Sequence, residues 1–311
     1  MARDVLRKRF RDVAFTTAVP FSDDGSNVSY DDLADNLEKL YDAGARLFIP
    51  CGNTGEYYSL TDEERIEIVA THVEATGDEA TIAGGVAGSI QEVRRLAAAY
   101  ADAGADAIMV MDPDHTYVHE RGVANYYHRI CDATELGVVI YKRGPEVSRG
   151  VIADVSDREN VVAVKYAVDD VAAFSRTVAE SPGEVTWLNG IAERYACPFA
   201  IEGATGYTTG LGNFAPEATL ALFEAIESEA WDRARSIQRL LHPIEDLRAE
   251  SGDENALPAA NNVPVVKHGM DLAGYTGGPV RDPLVDLSSA DKKRLEEYYE
   301  TLESTPLLET V

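Results

Sequence analysis

Short apolar runs alternate with amphipathic helical stretches along most of this chain, and that alternation constrains its fold more than any single motif. Eight runs have strand character: "VAFTTAVPF", "RLFIPCG", "ATIAGGV", "DAIMVMDP", "GVVIYKR", "VVAVKYAV", "VTWLNG" and "TGYTTG". Continuous apolar runs separated by helices are the pattern of parallel strands buried on both faces. The helices between them carry start signals. Ser29 is placed to cap "YDDLADNLEKLYDA", and Thr61-Asp62-Glu63-Glu64 and Ser89-Ile90-Gln91-Glu92 are capping boxes. An internal repeat sets the spacing. "DAGARLFIP" (Asp42–Pro50) and "DAGADAIMV" (Asp102–Val110) share a helix end, a glycine just past it and the entry to an apolar strand. "EGATGYTT" (Glu202–Thr209) is a looser third copy. Gly44 and Gly104 lie 60 residues apart, which at about 30 residues per βα unit is two units.

Eight such units in roughly 210 residues favour a (β/α)₈ TIM barrel over a doubly wound sheet. The missing glycine-rich phosphate fingerprint after the first strand points the same way. Beyond about residue 216 the pattern turns purely helical: "APEATLALFEAIES", "WDRARSIQRLLHPIEDLRAE" and "SSADKKRLEEYYETLES". The expected organisation is a barrel over residues 1–228 and a C-terminal helical extension over 229–311 packed on it. "SGDENALPAANNVP" reads as a flexible connector within the extension.

Charge narrows the partners. The 311 residues include 54 acidic and 28 basic side chains, a net charge of −26. Such a surface repels phosphate backbones and anionic lipids, so neither nucleic acid nor membrane is expected as a partner. The acid is dispersed along helix positions and lysines are few, the surface expected of a protein adapted to high salt. No apolar run is long enough to span a bilayer, and "MARDVLRKRFRD" lacks the apolar core of a signal peptide, so a cytoplasmic location is expected. Cys51, Cys131 and Cys197 are scattered, without the close pairs of a zinc site or disulfide scaffold.

In a barrel of this kind, chemistry collects at the C-terminal ends of the strands. That selects Cys51–Glu56, Asp112–Tyr117, Tyr141–Arg143, Lys165, Asn189-Gly190 and Tyr207–Gly210. Lys165 is the sharpest of these. Partial burial in apolar walls pulls a lysine towards 7–8 and frees its amine to attack a carbonyl. A buried ion pair with Asp169 or Glu193 accounts for it equally well from the residues alone. Tyr141 is either a proton shuttle beside it or a core aromatic with a wet hydroxyl. The glycines of "CGNTGEYYSL" let Asn53, Thr54 and backbone N–H groups converge on a carboxylate. Asp112, Asp114, His115 and His119 offer ligand types for a divalent metal, but Pro113 and the strand end favour a hydrogen-bonding loop, and no metal is expected. Lys267 in "VPVVKHGM" falls in the helical extension, where a snorkelling side chain is expected.

Together these residues make the chain resemble the dihydrodipicolinate synthase / N-acetylneuraminate lyase family of class I Schiff-base aldolases and dehydratases. The likeness covers most of the chain and is strongest in "GNTGEYYSLTDEE", the tyrosine of "VVIYKR" and the lysine of "VVAVKYAVDD". It implies that Lys165, Tyr141 and Thr54 are catalytic: Lys165 forms an imine with a 2-oxo acid such as pyruvate, and Tyr141 relays protons. Gly52, Asn53, Thr54, Thr208, Gly190, Arg143 and His115 are implied as substrate contacts, with no cofactor and a homo-oligomer, dimer or tetramer. Where the synthase carries a paired tyrosine after strand four, this chain has His115, with Tyr117 two residues on. "YKRGPEVSRG" departs from the synthase's pattern after the strand-five tyrosine, and only a shifted alignment brings Arg149 to its carboxylate-binding arginine. "GNTGEYYSL", "YKR" and "GLGNFAPE" are similar to the branch of keto-deoxy sugar acid dehydratases and aldolases, where Arg143 would meet a distal carboxylate. The expected function is a lyase of that branch. The alternatives are 4-hydroxy-tetrahydrodipicolinate synthase and a catalytically silent barrel that binds a 2-oxo acid.

Overall fold

The computed structural model describes residues 3–113, 115–181 and 184–306. A short helix α1 (Arg3–Arg9) precedes strands β1 (Val13–Phe15), β2 (Leu47–Phe48), β3 (Thr81–Val86), β4 (Ala107–Val110), β5 (Gly137–Lys142), β6 (Val161–Tyr166), β7 (Thr186–Asn189) and β8 (Gly206–Thr209). All eight are parallel, each pairs with the next, and β8 pairs back onto β1 to close a barrel. Every run expected to be a strand contains one. Following the strands in order are helices α2 (Tyr30–Asp42), α3 (Asp62–Thr76), α4 (Ile90–Asp102), α5 (Glu120–Cys131), α6 (Arg149–Val155), α7 (Val171–Glu180), α8 (Ala196–Ile201) and α9 (Pro216–Glu227). Three more, α10 (Trp231–Ala249), α11 (Asn262–Leu272) and α12 (Ser289–Ser304), pack against one another. The loop between α10 and α11 is pinned at its base, Ala259 N–H donating to Ala249 O and Asn261 N–H to Glu250 O, 3.2 Å each.

The repeat has a structural cause. Gly44, Gly104 and Gly203 have φ of 113°, 96° and 110°, which a side chain rarely tolerates. At all three, the glycine N–H donates to the carbonyl three residues back and the following alanine N–H to the carbonyl five back. This double closure stops the helix and turns the chain into the next strand. The capping boxes at Thr61 and Ser89 form with both reciprocal bonds. Ser29 departs from its expected role: its hydroxyl bonds the Asp32 carboxylate at 2.5 Å and caps no backbone amide.

Strand alternation decides which side chains face the chemistry. Tyr166 packs on Phe174 and Phe199 of the helical layer, with ring centroids 5.2 and 6.3 Å away. Lys165 therefore faces the barrel interior. Tyr141 pairs in register with Lys165 and faces inward with it. On β8, the Tyr207 hydroxyl donates outward to Thr219 O at 2.5 Å, which turns Thr208 inward.

Candidate active site

Lys165 sits at the C-terminal end of β6, only 5 % exposed, its Nζ 4.4 Å from the centroid of the Tyr141 ring. It makes no ion pair among the described residues. Asp169 is exposed, and Glu193 accepts the Thr219 hydroxyl at 2.7 Å. Burial brings Lys165 down from the ordinary 10.5 to about 7, helped by the positive charges of Arg143 and Arg248. At neutral pH a large fraction of its amine carries a free lone pair. Burial also pushes the Tyr141 phenol up, to about 12, against the opposing pull of Arg143 and the Asn53 hydrogen bond. That phenol keeps its proton at neutral pH. It accepts from Asn53 Nδ2 at 3.2 Å, leaving its own O–H free to donate elsewhere.

The loop bearing Asn53 and Thr54 has an unusual shape. Cys51 and Glu56, at its two ends, both lie in the left-handed region, with φ of 55° and 53°. The Cys51 carbonyl packs so closely over β3 that a Cβ at Gly85 would overlap it, so the bare backbone of β3 makes room for this turn. Glu56 N–H donates to Asn53 O and Tyr57 N–H to Gly52 O, at 3.2 Å each. The amides of Asn53, Thr54 and Gly55 donate to no acceptor among the described residues. Three consecutive amides without an acceptor among the described residues are a donor set that an anion can use. The Thr54 hydroxyl lies 3.1 Å from that of Thr16, which itself donates to Thr209 O at 2.6 Å. Because Thr16 has one proton and spends it on Thr209, Thr54 is the donor in that pair. Its backbone N–H remains for an anion.

Other expected residues fall nearby or apart. Thr208 is buried and lines the interior. Gly190 N–H is taken by Tyr166 O at 2.7 Å, which leaves only its carbonyl for a ligand. Arg143 is exposed just beyond Tyr141, without a salt bridge among the described residues, and its charge reaches both Lys165 and Tyr141. Arg149 is engaged elsewhere, with Glu180 at 2.8 Å. His115 stands exposed in a surface groove with Pro113, Tyr117 and Val118, its Nδ1 accepting Tyr117 N–H at 3.0 Å, and does not join the buried cluster. His119 Nδ1 caps α5 by accepting Arg121 N–H. Asp112 holds Gly144 N–H at 3.0 Å, and Asp114 lies outside the described residues.

Lys267 corrects an expectation. Its ammonium does not snorkel to water: it is 2 % exposed, with Nζ 2.6 Å from Glu56 Oε1 and 2.6 Å from Pro279 O. The reason is the buried Glu56 carboxylate, a stronger attraction than solvent reached through packed helices. Sequence reasoning also passed over Thr16 and Arg248. The threonine pair in "FTTAVPF", at a strand end, was a usable signal for the first. Nothing local marks Arg248, buried on α10 with its guanidinium on Glu245 at 2.5 Å.

Comparison with known proteins identifies the family. The sequence model of the dihydrodipicolinate synthetase family matches residues 9–302. A 4-hydroxy-tetrahydrodipicolinate synthase of Haloarcula marismortui is 28% identical, the match covering 96% of this chain and 95% of that one. A probable 5-dehydro-4-deoxyglucarate dehydratase of Methylobacterium radiotolerans is 31% identical over 88% of this chain and 90% of its own. The crystal structure of dihydrodipicolinate synthase from Oceanobacillus iheyensis superposes with a TM-score of 0.92 at 31% identity, covering 97% of this chain and all of that one.

Proposed function

The chain belongs to the dihydrodipicolinate synthetase family of class I lyases, and we propose that within it the protein is a dehydratase or aldolase acting on a keto-deoxy sugar acid through an imine at Lys165. The Lys165 amine attacks the C2 ketone of the 2-oxo acid. Tyr141 gives its proton to the resulting alkoxide, recovers one from the carbinolamine nitrogen and delivers it to the hydroxyl as that leaves as water. This yields the protonated iminium and a phenolate able to take the C3 proton. The iminium then draws electrons from the adjacent carbon, permitting loss of a β-hydroxyl as water or cleavage of the next carbon–carbon bond. The free amides of Asn53, Thr54 and Gly55 hold the C1 carboxylate, and Thr208 and the Gly190 carbonyl complete the wall around C2 and C3.

The observation that carries the substrate class is Arg143, an exposed guanidinium two residues past Tyr141, without a salt bridge among the described residues, whose charge reaches Lys165. A substrate with a second carboxylate gives it a partner. A panel of 5-keto-4-deoxy and 2-keto-3-deoxy sugar acids, run beside pyruvate plus aspartate semialdehyde, tests the reading. Turnover of the last pair alone would sink it and favour the condensing synthase, the activity in the name of the Haloarcula relative. Arg143→Ala is expected to raise KM for a diacid by about 10–100-fold, a lost charged hydrogen bond of about 1.5–3 kcal/mol, while leaving half-saturation by pyruvate within about 3-fold. Equal losses for both substrates would remove Arg143 from the distal site.

The dispersed charge of −26 supports a further reading, adaptation to high salt. No helix among the described residues is long and apolar enough to cross a membrane. Raising KCl from 0.1 to 2 M screens the self-repulsion of the surface. It is expected to stabilise the fold by about 2 kcal/mol, roughly 3 °C in Tm for a chain of this size. A flat or falling Tm over that range contradicts the adaptation.

A further inference from the structure

The loop that carries Asn53 and Thr54 is held from a distant part of the chain. Glu56, at the end of that loop, has a carboxylate with no solvent exposure, and both of its oxygens face the C-terminal extension. Oε1 meets Lys267 Nζ at 2.6 Å, and Oε2 accepts Arg281 N–H at 2.9 Å. Lys267 is a hub. Its ammonium also donates to Pro279 O and lies 4.1 Å over the ring of Phe21, in the segment after β1. Arg281 fastens the next turn of the same loop. Its guanidinium takes Glu64 with two nitrogens, at 2.8 and 2.7 Å, and donates to Ser59 O at 3.0 Å and Gly25 O at 2.7 Å.

This arrangement answers a local question about strain. Two non-glycine residues in the left-handed region bracket the loop, a conformation that costs each about 1 kcal/mol. The loop closes on itself through two backbone bonds of 3.2 Å, with Ser59 N–H on Glu56 O at 2.8 Å and side-chain bonds from Asn53 to Tyr141 and from Thr54 to Thr16, and none of these engages the Glu56 carboxylate. A fully buried ion pair with one partner at the strained residue does hold it. Glu56 cannot relax to an ordinary φ without dragging its carboxylate off Lys267 and into apolar surroundings.

We propose that Lys267 and Glu56 are positioning residues whose buried ion pair ties the C-terminal extension to the Cys51–Glu56 loop and fixes where its free amides hold the substrate carboxylate. The inference rests on the reading that this loop binds C1 of the 2-oxo acid. The hold passes through Glu56 N–H and Asn53 O to the same asparagine that donates to Tyr141. Loosening the pair therefore disturbs carboxylate binding and the orientation of the phenol together. It leaves Lys165 in place on its own strand.

Two variants test it. Lys267→Met strands a buried carboxylate and lowers Tm. The pair Glu56→Gln with Lys267→Met removes both charges at nearly constant volume and leaves none uncompensated. Each is titrated with pyruvate under borohydride, the adduct at Lys165 is counted by mass spectrometry, and Tm is measured alongside. The folded neutral pair is expected to need about 10–100-fold more pyruvate for half-maximal trapping. At saturating pyruvate it still forms the adduct at Lys165. A neutral pair whose half-saturation matches the wild type, with only Tm changed, overturns the inference and leaves the ion pair structural. Absence of any adduct in the wild type overturns the functional reading and this inference with it.

Discussion

Lys165→Met is expected to leave no borohydride-trapped adduct with pyruvate and to reduce kcat by at least about 10⁴-fold, because no other amine replaces the one that forms the imine. A trapped adduct that persists on another residue would move the nucleophile. The same variant is expected to be more stable than the wild type at neutral pH. The amine falls from 10.5 to about 7 on folding because burial disfavours its charged form. The unfolded chain therefore binds more protons than the folded one between those two values, and stability rises with pH across that interval. Below pH 7 the folded protein bears the whole cost of a buried ammonium, and above 10.5 none of it. The drop in pKa corresponds to at most about 5 kcal/mol. With an imperfectly packed methionine in its place, a gain of about 1–3 kcal/mol is expected at pH 6, shrinking towards pH 10. Thermal melts at the two pH values measure it, and a gap that does not change with pH would show that Lys165 is not held as a strained ammonium.

Tyr141→Phe is expected to lower kcat by about 10²–10⁴-fold, the usual worth of a positioned proton donor. It is expected to lower Tm by no more than about 2 °C, the effect of about 1 kcal/mol of lost hydrogen bonding in a chain of this size. The ring keeps its contact with Lys165, and only the partner of Asn53 Nδ2 is lost. The slowed steps are formation and collapse of the carbinolamine, so the rate of adduct trapping falls with kcat. Burial holds the phenol at about 12, and its proton therefore stays on through the neutral range. The wild-type rate should rise through pH 7 as Lys165 loses its proton and show no fall from Tyr141 ionisation below about pH 10. A phenylalanine variant within about 5-fold of wild type would assign the proton relay to another group.

These expectations depend on a barrel that was legible from local sequence, because each βα unit carries its own signals. The helix stop at Gly44, Gly104 and Gly203 is written within nine residues, and so are the capping boxes. The ends of β5 and β6 could be placed beside each other by counting strands, and Tyr141 and Lys165 pair in register there. Residues whose meaning lies in distant contacts were not legible. Lys267 is 211 positions from Glu56 and sits in an amphipathic helix where water would ordinarily claim its ammonium. Arg248 reaches Lys165 with its field from a helix beyond the barrel. His115 is close in sequence to the strand-four end yet lies exposed in a surface groove.

By itself, then, the sequence determined the closed parallel barrel and the strand ends at which Lys165, Tyr141 and the Asn53–Thr54 loop stand. Periodicity, caps and glycine turns act over a few residues and survive without tertiary context. Only the tertiary structure decided the state of that site. The pKa of Lys165 depends on how much water the surrounding strands exclude, and the strained loop opposite is held by a lysine and an arginine from the far end of the chain. Both are consequences of desolvation, which no single stretch of sequence specifies, because burial is a property of everything that packs around a group.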